Sequence, residues 1–223
     1  MADGRPTYTD PATGLEVMTA TTLADRGWCC DLGCRHCPFV GTDDKAAWRA
    51  WARQVMATLD LASLSVAVRA GLRPVVEAAA AGRVLVYRAL DHEVDLDPLI
   101  DELGSERFAL TRAGTAGSLL TVHPAEVELE RHRLGLLQPV EGSPELDLAD
   151  LSAALIPGLA FDRRGTRMGH GLGHFDRLLT LLAGRMPLVG VTVEALVVPD
   201  LPCQDHDVAM DALATELGVR PTG

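Results

Sequence analysis

The run Ile156-Pro157-Gly158-Leu159-Ala160-Phe161-Asp162-Arg163-Arg164-Gly165-Thr166-Arg167-Met168-Gly169-His170-Gly171-Leu172-Gly173-His174-Phe175-Asp176 holds the densest set of chemically useful residues in the chain. Gly169, Gly171 and Gly173 alternate, so backbone N–H groups can approach an anion without a Cβ in the way. Arg167 and Arg177 bracket these glycines with positive charge, and Asp176 closes the run with a carboxylate. The combination suits a phosphate cradle. An ordinary flexible turn is the plainer reading of several glycines. Here, however, an apolar stretch leads in and the helical pattern Arg177-Leu178-Leu179-Thr180-Leu181-Leu182 follows, and a helix N-terminus favours anions. The spacing fits neither the Gly-x-Gly-x-x-Gly of dinucleotide-binding folds nor the Gly-Lys-Ser/Thr ending of a P-loop.

Two further signals lie upstream. Of 20 lysine and arginine residues, Lys45 is the single lysine. A coding bias toward arginine explains the scarcity, and a surviving lysine then suggests a position that needs a compact, flexible ammonium, as at a phosphate. Chance survival on a solvated helix face is the alternative. Cys29, Cys30, Cys34 and Cys37, four of the five cysteines, cluster near the N-terminus. In a cytosolic chain so tight a cluster reads as metal binding before disulfides. Cys29 as fourth ligand would complete an all-thiolate zinc or iron–sulfur site. Adjacent cysteines strain simultaneous ligation, so His36 is an alternative ligand, and free or redox-active thiols are a third reading. Cys203 reads as a buried small residue.

The elements that must position these residues alternate. Lys45 to Leu59 is expected to be helical, with Trp48, Trp51 and Val55 at i, i+3 and i+7, and Ser63 to Ala80 forms a second helical pattern. Val84 to Tyr87 reads as a strand, Asp97 to Leu103 as a helix with Pro98 in its first turn, and Phe108 to Thr111 and Leu119 to Val122 as strands. The apolar run Ala154 to Ala160 is a strand entering the glycine loop. Arg177 to Ala183 reads as a helix, Leu188 to Val193 as a strand and Val208 to Leu217 as a last helix. Helices interleaved with short apolar strands argue for an α/β fold with a mostly parallel sheet.

Composition narrows the function classes. With 223 residues, 48% of them hydrophobic, and 13 prolines, the chain can hold one substantial core and a small appendage. A net charge of −11 argues against a nucleic-acid surface, which needs clustered excess Lys and Arg. No apolar stretch approaches a bilayer span and no basic-then-apolar leader opens the sequence, so no membrane partner and a cytoplasmic location are expected.

The glycine segment resembles the signature Pro-Gly-x-Ala-Phe-Asp-x-x-Gly-x-Arg-x-Gly-x-Gly-x-Gly-Tyr-Tyr-Asp of the 5-formyltetrahydrofolate cyclo-ligase family, the methenyltetrahydrofolate synthetases. Every fixed position matches except two: His174 and Phe175 stand where the family usually has tyrosines. Leu172 stands where some members carry lysine. The resemblance extends over about 170 residues, from Asp44 to roughly Leu217. Lys45-Ala46-Ala47-Trp48-Arg49 is similar to the family's Lys-x-x-Leu-Arg, Glu93-Val94-Asp95-Leu96 to its Glu-Val-Asp-Thr, and Pro202 through Asp207 to its Pro-x-x-x-x-Asp.

The resemblance implies a three-layer α/β/α fold and an ATP-driven ring closure. In the family, ATP phosphorylates the formyl oxygen of 5-formyltetrahydrofolate, N10 attacks the activated carbon, and loss of phosphate gives 5,10-methenyltetrahydrofolate. Such a site needs cations and N–H groups around the phosphates, Mg²⁺ held by one or two carboxylates, and two substrates fixed face to face. Carried over, Lys45 and Arg167 are the catalytic cations. Lys45, Arg49, Arg167, Gly169, Gly171, Gly173 and Phe175 bind ATP; Glu93, His170 and His174 bind the folate; Asp176 and Asp207 hold Mg²⁺. The plainer alternatives are that Asp176 and Asp207 cap helices and that Glu93 is one of several solvated charges. Losing both tyrosines removes two phenolic hydroxyls, of which His174 returns one donor or acceptor and Phe175 none. A catalytically diverged folate- or nucleotide-binding protein is the second reading.

An N-terminal segment of about 35 residues resembles a small Cys-rich family of unknown function, with Tyr8-Thr9-Asp10-Pro11-Ala12-Thr13-Gly14 followed by Arg26-Gly27-Trp28-Cys29-Cys30 and Cys34-Arg35-His36-Cys37-Pro38. Cys30-x3-Cys34-x2-Cys37 also has radical-SAM spacing, but too little chain precedes the cyclo-ligase-like region for the barrel that chemistry uses. The expected division is residues 1–42, a metal-binding module, and 43–223, the cyclo-ligase-like domain.

Overall fold

The computed structural model describes residues 6–9, 14–26, 34, 45–79, 82–114, 119–133, 135–171, 173–204 and 207–223. A short antiparallel hairpin, β1 (Thr7–Thr9) and β2 (Glu16–Met18), precedes α1 (Ala20–Asp25). Two helices follow, α2 (Lys45–Met56) and α3 (Leu61–Ala78). Trp48, Trp51, Ala52 and Val55 recur on one face of α2 and are buried, as are Val68, Leu72 and Val76 of α3. Asp60 starts α3 by accepting a hydrogen bond from Ser63 N at 3.2 Å.

The chain then lays down β3 (Arg83–Val86), α4 (Asp97–Leu103), β4 (Phe108–Arg112), β5 (Thr121–Pro124) and the hairpin of β6 (Leu129–Arg131) with β7 (Leu137–Pro139). After these come β8 (Leu151–Pro157), β9 (Ala160–Asp162), β10 (Arg167–Met168), α5 (His174–Leu182), β11 (Leu188–Val191), β12 (Val197–Val198), β13 (Ala212–Thr215) and β14 (Gly218–Pro221). The seven-stranded sheet runs β14-β13-β11-β8-β3-β4-β5. Its five central strands are parallel, and β14 and β5 pair antiparallel at the two edges.

Alternation along the strands makes two cores. Ala153 and Leu155 of β8 pack with Trp48, Trp51, Val68, Leu72 and Ile100, whereas Ala154 and Ile156 pack with Leu178, Leu179 and Leu182 of α5. A parallel sheet covered on both faces is the expected three-layer α/β/α arrangement. No single helix among the described residues is long and apolar enough to cross a membrane; α2 and α3 pass that test only as a pair bent by 101°.

Beyond β8 the chain breaks at Gly158 and resumes as β9, so the apolar run read as one strand is two. Asp162, fully buried, organises the turn that follows. Its Oδ1 accepts Arg164 N and Thr166 N, each at 2.9 Å, and its Oδ2 accepts Leu201 N at 3.2 Å. The turn folds β10 back on β9 and delivers Arg167 to the C-terminal end of β8.

The helix expected over Val208 to Leu217 is instead the β13–β14 hairpin. Ala212-Leu213-Ala214 has helical propensity, but β11 would otherwise end the sheet with an unpaired backbone edge. Asp211 ties the segment to that edge: its N donates to Leu188 O and its Oδ2 accepts Leu188 N, both at 2.8 Å. Tertiary hydrogen bonding overrides local preference, and no helix remains there for Asp207 to cap.

Candidate active site

A cavity of about 720 Å³ opens at the carboxyl ends of β3, β4 and β8. Tyr87 and Arg88 follow β3, Thr111 belongs to β4, Pro157 ends β8, and the glycine loop between β10 and α5 supplies the facing wall. In an open α/β sheet this is where ligands bind. The volume suits a small-molecule site.

Arg167 is the hub of the loop. Its side chain is 6% exposed, Nη1 donates to Pro157 O at 3.1 Å, Nη2 donates to Asp176, and the guanidinium stands 5.7 Å from the centre of the Phe175 ring. Burial pushes its proton affinity down, while Asp176, Asp207 and Glu93 act in the opposite sense and hold the charge. One buried cation therefore sits among three carboxylates. Gly169 and Gly171 owe their identity first to arginine packing. A Cβ on Gly169 would lie 2.8 Å from Arg167 Nη1, and one on Gly171, where φ is +93°, would lie 3.1 Å from the Arg49 guanidinium carbon. Gly173, in left-handed conformation, starts α5, so Asp176 stands in the first turn of that helix and not at its cap.

Lys45, Arg49 and Arg53 recur every four residues on α2. Arg49 Nε donates to Gly169 O at 2.9 Å and so grips the loop. Lys45 Nζ bonds Asp207 Oδ2 at 2.8 Å, and Asp207 Oδ2 also accepts Gln204 N at 2.9 Å. Lys45, Arg49 and Asp207 thus adjoin the cavity without forming its wall, while Arg53 lines it.

Glu93 is buried, contrary to the solvated-charge alternative. Its Oε1 accepts His170 Nε2 at 3.0 Å and its Oε2 accepts Leu90 N at 2.9 Å. The His170 ring meets His92 edge-on, with centroids 5.1 Å apart. Burial pushes His92 down from its ordinary value, with His170 and Arg53 acting in the same direction and Glu93 against it. In His92 and His174, two of the lining residues, Nε2 and Nδ1 respectively are buried without a hydrogen-bond partner among the described residues. Such atoms carry a desolvation cost.

The structure therefore gathers Glu93, Arg167, Gly169, His170, Gly171, Gly173, His174, Phe175 and Asp176 around one cavity, with Lys45, Arg49 and Asp207 beside it. The sequence reading missed His92 and Arg53. The first directly precedes Glu93, and the second continues the four-residue spacing of Lys45 and Arg49, so both carried a signal. Cys203 is exposed, not buried, because it stands in the irregular segment after β12. Of the N-terminal cysteines, Cys29, Cys30 and Cys37 lie outside the described residues. Among the described residues no three His, Cys, Asp or Glu side chains form a metal-holding group.

The donors available still fit Mg²⁺, which takes one or two carboxylates and completes its shell with phosphate oxygens and water. Asp176 and Asp207 both act on Arg167, and their present partners, Arg167 and Lys45, are cations that phosphate oxygens would attract.

Comparison with known proteins agrees with the geometry. Residues 1–43 match the Family of unknown function (DUF5522). The 5-formyltetrahydrofolate cyclo-ligase of Saccharomyces cerevisiae is 29% identical over 189 residues, covering 72% of this chain and 90% of the yeast protein. That of Escherichia coli K12 is 33% identical over 140 residues, covering 59% and 76%. The NMR structure of Aquifex aeolicus 5,10-methenyltetrahydrofolate synthetase superposes with a TM-score of 0.67 at 28% identity, over 79% of this chain and 92% of that one. The Mycoplasma pneumoniae 5,10-methenyltetrahydrofolate synthetase, at 17% identity, shares the fold with a TM-score of 0.63, over 78% and 99%. Residues 48–216 match the model of the 5-formyltetrahydrofolate cyclo-ligase family, and with the loop, the sheet and the cavity in the arrangement described, the chain belongs to that family.

Proposed function

We propose that this chain converts 5-formyltetrahydrofolate to 5,10-methenyltetrahydrofolate, consuming ATP in the presence of Mg²⁺. The observation that carries the reading is Arg167, a buried guanidinium held at the end of β8 between the loop that α2 grips and the cavity that Glu93 lines.

The triphosphate lies along the glycine loop, where Arg167, Arg49 and Lys45 offset its charge. Phosphoryl transfer to the formyl oxygen moves negative charge toward the bridging oxygen of the leaving ADP, and fixed cations stabilise that redistribution without reorganising. Arg167 suits the role because Pro157 O and the Phe175 ring already fix its plane. Asp176 and Asp207 would hold Mg²⁺, which would supply positive charge to offset the negative charge of the phosphates. Glu93 faces the polar edge of the pterin, where a carboxylate matches adjacent N–H donors. Held there, N10 is within reach of the activated formyl carbon, and ring closure expels phosphate. The replacement of two tyrosines is compatible with this: Phe175 keeps the ring beside Arg167, and His174 remains among the residues that line the cavity.

The test follows the near-ultraviolet absorbance of the methenyl product after mixing protein, 5-formyltetrahydrofolate, Mg²⁺ and ATP. A rise lost in Lys45→Ala and Asp176→Ala is expected; no rise from the wild-type chain, with ATP still bound, sinks the reading. We also propose that the chain divides into residues 1–42 and 43–223, and that Cys29, Cys30, Cys34 and Cys37 hold zinc. The spacing in the sequence supports this. Elemental analysis of purified protein should find zinc in stoichiometric amount; iron in its place, or neither metal, would end the proposal.

A further inference from the structure

We propose that His170 couples the two substrates, linking the nucleotide loop to the pterin carboxylate so that each ligand strengthens binding of the other. The inference rests on the function proposed above and assigns His170 and His92 a task beyond lining the site.

The physical connection is continuous. Arg49, on α2, donates its Nε to the carbonyl of Gly169, the residue before His170, at 2.9 Å. On the other side of His170, Gly171 lies so close to the same guanidinium that an added Cβ would sit 3.1 Å from its central carbon. The backbone on both sides of His170 is therefore located by Arg49. The His170 side chain then reaches across the cavity wall, where Nε2 donates to Glu93 Oε1 at 3.0 Å. Glu93 is buried, and its second oxygen is occupied by Leu90 N at 2.9 Å, so the carboxylate has little freedom apart from what His170 allows. His92 limits the imidazole from the remaining side by edge-on contact, at 5.1 Å between centroids. The charged and titratable groups acting on His92 are Glu93, Asp91, His170 and Arg53.

A phosphate that engages Arg49 fixes the guanidinium, which fixes Gly169, the His170 ring and finally the Glu93 oxygen that meets the pterin. The same chain runs backward when the pterin binds first, as linkage requires. His170 is in this sense a positioning residue, acting on the folate through Glu93. The discrete element is the hydrogen bond between loop and carboxylate, formed or broken, and both ligands favour the formed state.

The experiment measures the Kd of 5-formyltetrahydrofolate by calorimetry, with and without Mg²⁺ and a non-hydrolysable ATP analogue. Wild-type protein should bind the folate on the order of tenfold more tightly with the analogue present, within the usual range for coupled sites. In His170→Ala the Kd for the folate alone can rise, since the ring lines the site, but the ratio of the Kd values with and without the analogue should fall to about one. His170→Gln, whose amide can donate to Glu93, should restore most of the tightening, and Glu93→Gln combined with His170→Ala should lose no further coupling. His92→Ala, which leaves both bonded partners in place, should weaken the coupling partially and serves if His170→Ala folds poorly. Equal tightening in wild type and His170→Ala overturns the proposal, as does a wild type that binds both ligands independently. If the wild-type chain binds no folate, the proposed function itself falls and the coupling with it, an outcome distinct from independent binding.

Discussion

Replacing Arg167 with lysine keeps the charge and removes the geometry. The arginine donates to Pro157 O at 3.1 Å, bonds Asp176 through its other terminal nitrogen, and lies 5.7 Å from the Phe175 ring centre. A lysine ammonium can retain Asp176 but cannot also reach Pro157 O and stack on the ring. Losing a hydrogen bond from a charged donor amounts to ~1.5 kcal/mol. Losing a partly desolvated cation–π contact amounts to ~1 kcal/mol. Together these are about 2.5 kcal/mol of positioning that the variant lacks when the phosphates arrive, or roughly a 70-fold fall in kcat/KM. The assay is the initial rate of methenyl formation at limiting ATP, beside Arg167→Met, which removes the charge too and should fall considerably further. A lysine variant within about threefold of wild type would refute the reasoning, because it would show that charge alone suffices and that the buried fork is incidental.

Gly171→Ala forces a side chain onto a backbone with φ of +93° and against the Arg49 guanidinium, a strain of ~1–3 kcal/mol. The expected result is an ATP KM raised about tenfold with kcat little changed, and an unchanged KM would contradict the grip of α2 on the loop. His92 makes a pH-dependent contribution to stability. Burial lowers its folded-state pKa below the ordinary histidine value of about 6.5, so the unfolded chain takes up the proton first as the pH falls. The contribution is complete above that value and is lost as the pH drops through it toward the depressed folded pKa. Melting temperatures from pH 7.5 down to 5.5 should therefore decline more steeply for wild type than for His92→Gln; parallel declines would contradict the assignment.

Local sequence determined much of this protein because short-range physics decides it. The amphipathic faces of α2 and α3, the interleaved apolar strands and the glycine loop entering α5 each follow from the spacing of neighbouring residues. Their order was enough to indicate an α/β sheet and to place Arg167 within the glycine-rich segment that enters α5. Two expectations failed where the deciding partner is distant in sequence. Residues 212–215 form a strand because the edge of β11 needs hydrogen bonds that a helix cannot give, and Cys203 is exposed because the segment after β12 runs irregularly over the surface. The site divides in the same way. Glycines, Arg167 and Asp176 are neighbours and could be read together. The pairing of Lys45 with Asp207, the grip of Arg49 on Gly169 and the bond from His170 to Glu93 join residues more than 70 positions apart. Only the tertiary structure could bring them together, because a side-chain contact depends on how the layers pack, and no local pattern encodes the distance between them.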